Sequence, residues 1–389
     1  MLQIIKSPFK IFLLFSSCFV LLYCNSREKK VAKQKEKPKV EDSFTQVNIL
    51  FAGDVMMHLP QITAAKTAGE NAYDFNTVFE KIAPIIKKAD IAIANLETTF
   101  GGEPYTGYPQ FSAPDTLAWF IKNAGFDVLV TANNHSADRG RKGILGAING
   151  VKKHGLLQTG TFKNEDDRTL NYPLIIEKNN IKIALLNATY GTNGLPVPTP
   201  LLVNRIDTAE IRKDIKKARE KGAEIVLMMF HWGIEYENNP NKEQKSIAQW
   251  CLINGIDAVI GSHPHVIQPA IWETFVPKND SVSRKGLVVY SLGNFISNQR
   301  DRFRDGGMMF EFTVRKNIFS KAIEIQNAGF YPSWVYIQPT PKNYYILPAA
   351  EYETDTTFIN PVAAKEQMLR FLNDTRTHLS TQENVSEKK

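Results

Sequence analysis

Cysteine is nearly absent from this chain of 389 residues. Of its three, Cys18 and Cys24 lie in an apolar leader and only Cys251 follows, so the folded part cannot form an internal disulfide even in an oxidising compartment. Cys251 stands between Trp250 and Leu252 on an expected helix, the setting of a buried inert thiol rather than a nucleophile. Net charge is missing from the same region. Residues 1–40 hold nine Lys/Arg against two Glu and account for the whole formal charge of +7, while residues 41–389 carry 38 basic and 38 acidic groups. A nucleic-acid-binding face needs positive charge on the domain itself, so no nucleic-acid partner is expected. The apolar run 11–23 is too short for a bilayer span of roughly 20 residues. The loop with Gly101, Gly102, Pro104 and Gly107 borders a strand end, but no GK[ST] follows it, which excludes a P-loop. Internal repeats are lacking, and low complexity is confined to the two ends.

What is present begins with a leader. Lys6 and Lys10 precede the run 11–23, which meets Cys24 and then polar Asn25 and Ser26, the layout of a secretory signal. It resembles the lipobox of bacterial lipoproteins, so the expectation is a signal over 1–24 and acylation of Cys24. Tyr23 departs from the small residue a lipobox favours, which leaves Cys18, preceded by Ser16 and Ser17, as the other candidate. A simply cleaved signal or a short anchor is the plainer alternative. Residues 25–44, rich in Lys, Glu and Gln, read as a solvated tether.

From residue 45 apolar runs alternate with amphipathic stretches, the pattern of an α/β fold. Strands are predicted at 47–51, 91–95, 128–131, 181–187, 225–230, 258–260 and 287–292, and helices near 77–88, 116–123, 144–153, 208–221 and 242–253. The pairing of 175–176 with 181–185 across Lys178, Asn179 and Asn180 reads as a hairpin, so the sheet is mixed. The main domain is expected over 45–300. Strands at 308–314, 322–325 and 334–337 and a helix at 362–373 then form a C-terminal part, 301–377, packing on the main domain, with a polar tail over 378–389.

Five apolar runs end in groups able to bind metal or move protons: Asp54, Asn95 with Glu97, Asn133 to His135, His231, and His263 with His265. In open α/β sheets, ligands gather at the carboxyl ends of strands. Four of the seven histidines close such runs; His154 and His378 look incidental. In GSHPH two imidazoles at i and i+2 can face one cavity, with Pro264 stiffening the turn. Imidazole, amide oxygen and carboxylate together suit Zn, Mn or Fe. Two such ions would clamp a substrate oxygen, and a shared carboxylate, for which Glu97 is the candidate, would hold them together. Each residue alone is more often a cap or a hydrogen-bonding group; the ordered set carries the signal.

The motifs GDVMMH, ANLET, TANNH, MMFHWG, IGSHPHV and YSLGNF, in order from residue 47 to 296, resemble the CapA, or poly-gamma-glutamate capsule synthesis, family, which is similar in turn to calcineurin-like metallophosphoesterases. The resemblance implies a sandwich of two mixed β-sheets flanked by α-helices with a metal site at the sheet ends. Carried over, Asp54 and His265 would bind a first divalent ion, Asn134, His231 and His263 a second, and Glu97 would bridge them. His135 would be the catalytic acid. Phosphoesterases often place His two residues after the first Asp; here Met56 stands there, and His58 is the nearest imidazole able to complete the first site. Glu97 replaces the usual bridging Asp.

Asn294 reads equally as a group near the site or as a turn residue. Asp138 and Arg139 read as a helix cap ahead of a substrate contact, and Trp232 and Tyr236 as packing ahead of a cleft lining. The functional expectation is an extracytoplasmic envelope lipoprotein acting in synthesis, export or attachment of poly-gamma-glutamate or a related polymer. Its partners would be an anionic polymer or phosphoester, the membrane through a lipid anchor, and a polymer synthesis complex. A metal-dependent phosphoesterase and a non-catalytic binding lipoprotein are the alternatives.

Overall fold

The computed structural model describes residues 43–69, 72–278 and 280–388. The expected signal, Cys18, Cys24 and all but the end of the tether lie outside the described residues. Among the described residues no helix is long and apolar enough to cross a membrane.

Two large mixed sheets, with a small two-stranded one of Thr161–Phe162 and Leu202–Val203, carry the strands of the described residues. The first has nine strands, with the main order Lys342–Pro348, Ile323–Pro339, Gly306–Asn317, Phe44–Val55, Ile91–Leu96, Val128–Val130 and Leu157–Thr159. The last four run parallel, and Gly306–Asn317 joins Phe44–Val55 antiparallel. The second sheet has six strands, in the order Ile267–Phe275, Arg284–Leu292, Ala258–Ser262, Ile225–His231, Ile181–Thr189 and Leu174–Lys178. Its four inner strands are parallel and its two outer ones antiparallel. The hairpin between Leu174–Lys178 and Ile181–Thr189 turns on Asn179 and Asn180 at φ 50° and 59°, the left-handed pair that a two-residue turn requires.

The strands read as continuous apolar runs because both faces are covered. In Phe44–Val55, Val47, Ile49 and Phe51 point between the sheets and meet Leu185, Leu227, Met229 and Ile260 of the second sheet. Leu50 and Ala52 point outward beneath Leu117 and Ile121 of the helix Thr116–Ala124. The outer face of the second sheet is sealed by the helices Thr208–Glu220 and Lys242–Ile253, with Ile211, Ile215 and Leu252 against Val226, Met228 and Val259. Cys251 is buried there, and burial pushes its thiol well above the usual range, in keeping with an inert role.

Four expectations need correction. The predicted helix at 77–88 is two short ones, Asn76–Phe79 and Ala83–Ile86, because Pro84 cannot donate to a continuous ladder. The predicted strands 322–325 and 334–337 are one strand of 17 residues, Ile323–Pro339. The C-terminal strands share the core of the main domain and also join its first sheet, Gly306–Asn317 pairing edge to edge with Phe44–Val55, so the expected boundary at 300 runs through one sheet. The final helix extends to Leu379, and within the expected tail Ser386 and Glu387 pair with Gly329 and Phe330.

Candidate metal centre

The parallel strands of both sheets end on the same side, and the side chains singled out in the sequence meet there. Asp54 is aimed by an irregularity. The register of Phe44–Val55 against Ile91–Leu96 shifts between Ala52 and Asp54, and such a bulge re-aims the next side chain. Gly53 makes room for it, since a Cβ there would lie 1.9 Å from the Gly293 carbonyl oxygen.

Asp54 is fully buried. Its Oδ1 accepts from Asn95 Nδ2 at 2.8 Å and its Oδ2 from the His263 backbone N–H at 3.2 Å. Asn95 Nδ2 also lies 3.2 Å from His231 Nδ1, so one amide ties a carboxylate of the first sheet to an imidazole of the second. Asn133 holds Asn95 in turn, donating to its Oδ1 at 3.1 Å and to the Leu96 carbonyl at 2.7 Å. Ser262 Oγ lies 3.1 Å from His231 Nδ1 and donates to the Phe230 carbonyl. On the other side of that ring, His231 Nε2 stands 2.9 Å from Asn134 Oδ1 and 3.5 Å from Glu97 Oε1.

His263 and His265 adopt φ of 102° and 58°, left-handed conformations that cost non-glycine residues of order 1–3 kcal/mol each and persist only where the surroundings enforce them. His265 Nδ1 sits 3.1 Å from Asn294 Oδ1 and 3.3 Å from Asp54 Oδ2. With two acceptors facing it, Nδ1 carries the proton, which leaves the Nε2 lone pair turned toward Glu97 Oε1 at 3.9 Å. Fixing the tautomer from behind in this way is how partners prepare a metal-binding imidazole. Asn294, read equally as site or turn, is such a partner; its Nδ2 donates to Gln299 Oε1 and the Arg304 carbonyl.

Glu97 is the unusual member. Both of its oxygens are buried without a hydrogen-bond partner, as is His263 Nδ1. Buried polar atoms left unpaired are rare and costly, and donor atoms turned toward one space are what a cation satisfies. Two groups of donor atoms, each within 4.8 Å of one another, can be formed: Glu97 with His263 and His265, and Asp54 with Glu97 and His231. Glu97 is common to both. The grouping crosses the expected one, which set His265 beside Asp54 and His263 beside His231. Imidazole nitrogen with carboxylate and amide oxygen suits Zn, Mn or Fe, so the residues present fit a divalent metal.

Electrostatics agree. Burial, then repulsion by Asp54, pushes the Glu97 carboxyl well above its usual range. Burial and then the neighbouring imidazoles push His231 well below its ordinary value. Burial, then His265, pushes His263 down to about 3. The two histidines are therefore neutral near pH 7, as ligands must be, whereas Glu97 keeps its proton to a higher pH than an ordinary carboxyl. Metal uptake should release that proton. Calorimetric titration with Mn²⁺ or Zn²⁺ in buffers of different ionisation heat should show release below the raised Glu97 value and an affinity that rises with pH up to it.

Two sequence expectations resolve differently. His58 lies beside the cluster, in neither donor group. It accepts the Asn298 N–H at its Nδ1 and packs edge to face on Phe111 with the ring centroids 5.0 Å apart, and burial holds it down at about 4. Asp138 does not cap a helix, for Arg139 takes that position at φ 62°. Asp138 is buried, and its Oδ2 accepts from Phe111 N at 2.7 Å and meets His135 Nδ1 at 2.8 Å. Trp232 is packing, stacked on Phe230 at 4.6 Å and donating to the Tyr290 carbonyl. Tyr236 is 45% exposed with its ring 6.1 Å from His265, and Tyr190, also 45% exposed, lies 4.6 Å from the His263 ring. Sequence reading placed Asn95 among the strand-end candidates without a role of its own in the ligand set, and gave none to Ser262 or Tyr190, although each closes or follows a strand that carries a ligand candidate.

A buried imidazole, carboxylate and amide cluster at the carboxyl ends of two facing mixed sheets is a candidate metal centre with the layout the metallophosphoesterase resemblance implies. The chain belongs to the bacterial capsule synthesis protein PGA_cap family, whose model matches residues 48–299, a span that holds the whole cluster. It is 29% identical over 312 residues to the capsule biosynthesis protein CapA of Bacillus anthracis, covering 75% of this chain and 68% of that protein. It is 27% identical over 312 residues to the PGA biosynthesis protein CapA of Bacillus subtilis, covering 74% and 73%. Among solved structures, the calcineurin-like phosphoesterase YfkN of Bacillus subtilis aligns with a TM-score of 0.44 at 13% identity, covering 87% of this chain and 100% of that one.

Proposed function

We propose that this protein acts at the cell envelope in the synthesis, export or attachment of poly-gamma-glutamate or a related anionic capsule polymer, through a divalent-metal centre. Membership of the capsule synthesis family supports the process, and the buried, unpartnered Glu97 shared by both donor groups is the observation that supports a working centre. Asp54, Glu97, Asn134, His231, His263 and His265 would hold the metal, one ion or two. A bound divalent ion would supply Lewis-acid polarisation of an acyl or phosphoryl oxygen. His135, oriented by Asp138, would hold or deliver a proton at its Nε2 beside the leaving group. Asn95 and Asn294 would keep Asp54 and His265 aimed. Acylation at Cys24 would tether the domain to the membrane, and partners in polymer synthesis would meet it there.

Chromosomal replacement of Glu97 by Gln, or of His263 by Ala, in the producing bacterium should eliminate surface polymer while the protein remains at normal level. Undiminished polymer would refute the proposal. The His135–Asp138 pair also favours a second reading, a metal-dependent phosphoesterase of an envelope metabolite. Metal-dependent turnover of a chromogenic phosphodiester, lost in His231→Ala, together with normal capsule in the same variant, would select it.

A further inference from the structure

We infer that Arg304, stacked on Tyr236 at the rim of the metal centre, forms an oxyanion-recognition arm that seats the substrate's negative group beside His265; this rests on the proposed function and names a determinant of its substrate class. Tyr236 holds φ of 68°, a conformation a bulky residue adopts only when held there. What holds it is a hydrogen bond from its N–H to the carbonyl of Pro264 at 2.8 Å, the residue between the two imidazoles of the SHPH turn. The ring is thereby set 6.1 Å from that of His265 and stays half-exposed. The Arg304 guanidinium lies 4.2 Å over the same ring, and its backbone carbonyl accepts from Asn294 Nδ2, the residue that orients His265.

The stack is therefore fastened at two backbone points to the machinery of the centre, yet neither side chain belongs to a donor group. Stacking fixes a planar guanidinium and leaves its edge free to bind an oxyanion with two N–H groups. Its charge partner in the structure is Asp301, a carboxylate with 75% of its side chain exposed, whose hold is screened by solvent and easily exchanged for a substrate anion. Tyr190, half-exposed beside His263, borders the centre with a second aromatic face. A metal centre flanked by two tyrosines and one preset guanidinium suits a carboxylate-bearing chain or a phosphoester; their shared chemistry is the oxyanion.

The test uses the full-length, Mn²⁺-loaded protein in detergent, with a short γ-linked glutamate oligomer and inorganic phosphate as separate probes in calorimetric titration. Arg304→Gln is expected to weaken the oligomer roughly tenfold, the scale of one charge-assisted contact at a partly exposed site. Arg304→Lys should restore binding only in part and Tyr236→Ala should weaken it in parallel, whereas Tyr236→Phe, which keeps the stack, should not. Metal content should be unchanged in all four, because Asn294 is held through the Arg304 backbone. Oligomer binding equal in wild type and Arg304→Gln overturns the arm and leaves the proposed function intact. Arg304-dependent binding of phosphate without any binding of the oligomer supports the arm and counts against the polymer. Failure of wild type to bind either probe overturns the arm.

Discussion

Replacing Glu97 by Gln is expected to strip the protein of metal and, in the same stroke, to make the chelated protein more stable in alkaline solution than the wild type. Gln copies the shape of the protonated acid but cannot ionise. In the folded, metal-free wild type the carboxyl sits far above its unperturbed value of 4.5, through burial and the charge of Asp54. The folded state then binds more protons than the unfolded one in the window from 4.5 up to the raised folded value, so stability falls as pH rises through it. Between 4.5 and 6.5 the buried imidazoles His58, His231 and His263 work in the opposite sense. They are held below 6.5 when folded, so the unfolded state takes up protons there and stability rises with pH. These three imidazoles are common to wild type and Glu97→Gln, so the contrast between the two proteins isolates the carboxyl. The difference should grow by up to about 1.4 kcal/mol per pH unit until the folded value is passed. Denaturant midpoints in EDTA at pH 5, 6, 7 and 8 read it directly. Identical slopes would mean that Glu97 ionises freely in its pocket.

His135→Ala should separate chemistry from metal binding. The side chain stands in neither donor group, its Nδ1 is engaged by Asp138 at 2.8 Å, and its ring packs edge to face with Phe111, centroids 4.7 Å apart. Metal content should therefore match the wild type, while turnover of whichever ester or amide substrate is established should fall by roughly 10²–10⁴, the usual contribution of a placed proton donor. Asp138→Asn should lose less, since the imidazole remains and only its orientation is disturbed. Metal lost together with activity in His135→Ala would assign His135 to the coordination set.

Most of the strands were legible because they are apolar runs of the right length, the two-sheet plan was implied only by the family resemblance, and the ligand candidates were legible because each closes such a run. Short-range pattern could not reveal that 322–325 and 334–337 form one strand, since Asn327 and Gly329 interrupt the apolar signal within it. Nor could spacing alone show which imidazole faces which carboxylate. That depends on the left-handed backbone at His263 and His265, imposed by contacts from Asp54 and Asn294 far away in sequence. Asp138 looked like a cap because Asp is a good one, but a buried imidazole and the Phe111 N–H claimed its oxygen instead. Asn95 was legible as a strand-end polar group, but its place between Asp54 and His231 was not, because that contact exists only once the two sheets are assembled.

The most direct test is elemental analysis of the purified wild-type protein alongside Glu97→Gln, with anomalous diffraction to locate the ions. The expected result is Mn, Fe or Zn in the wild type, seated between Glu97 and the imidazoles of His231, His263 and His265, and none in the variant. Equal metal content in the two proteins, or metal bound away from Glu97, would contradict the assignment of this cluster as the metal centre.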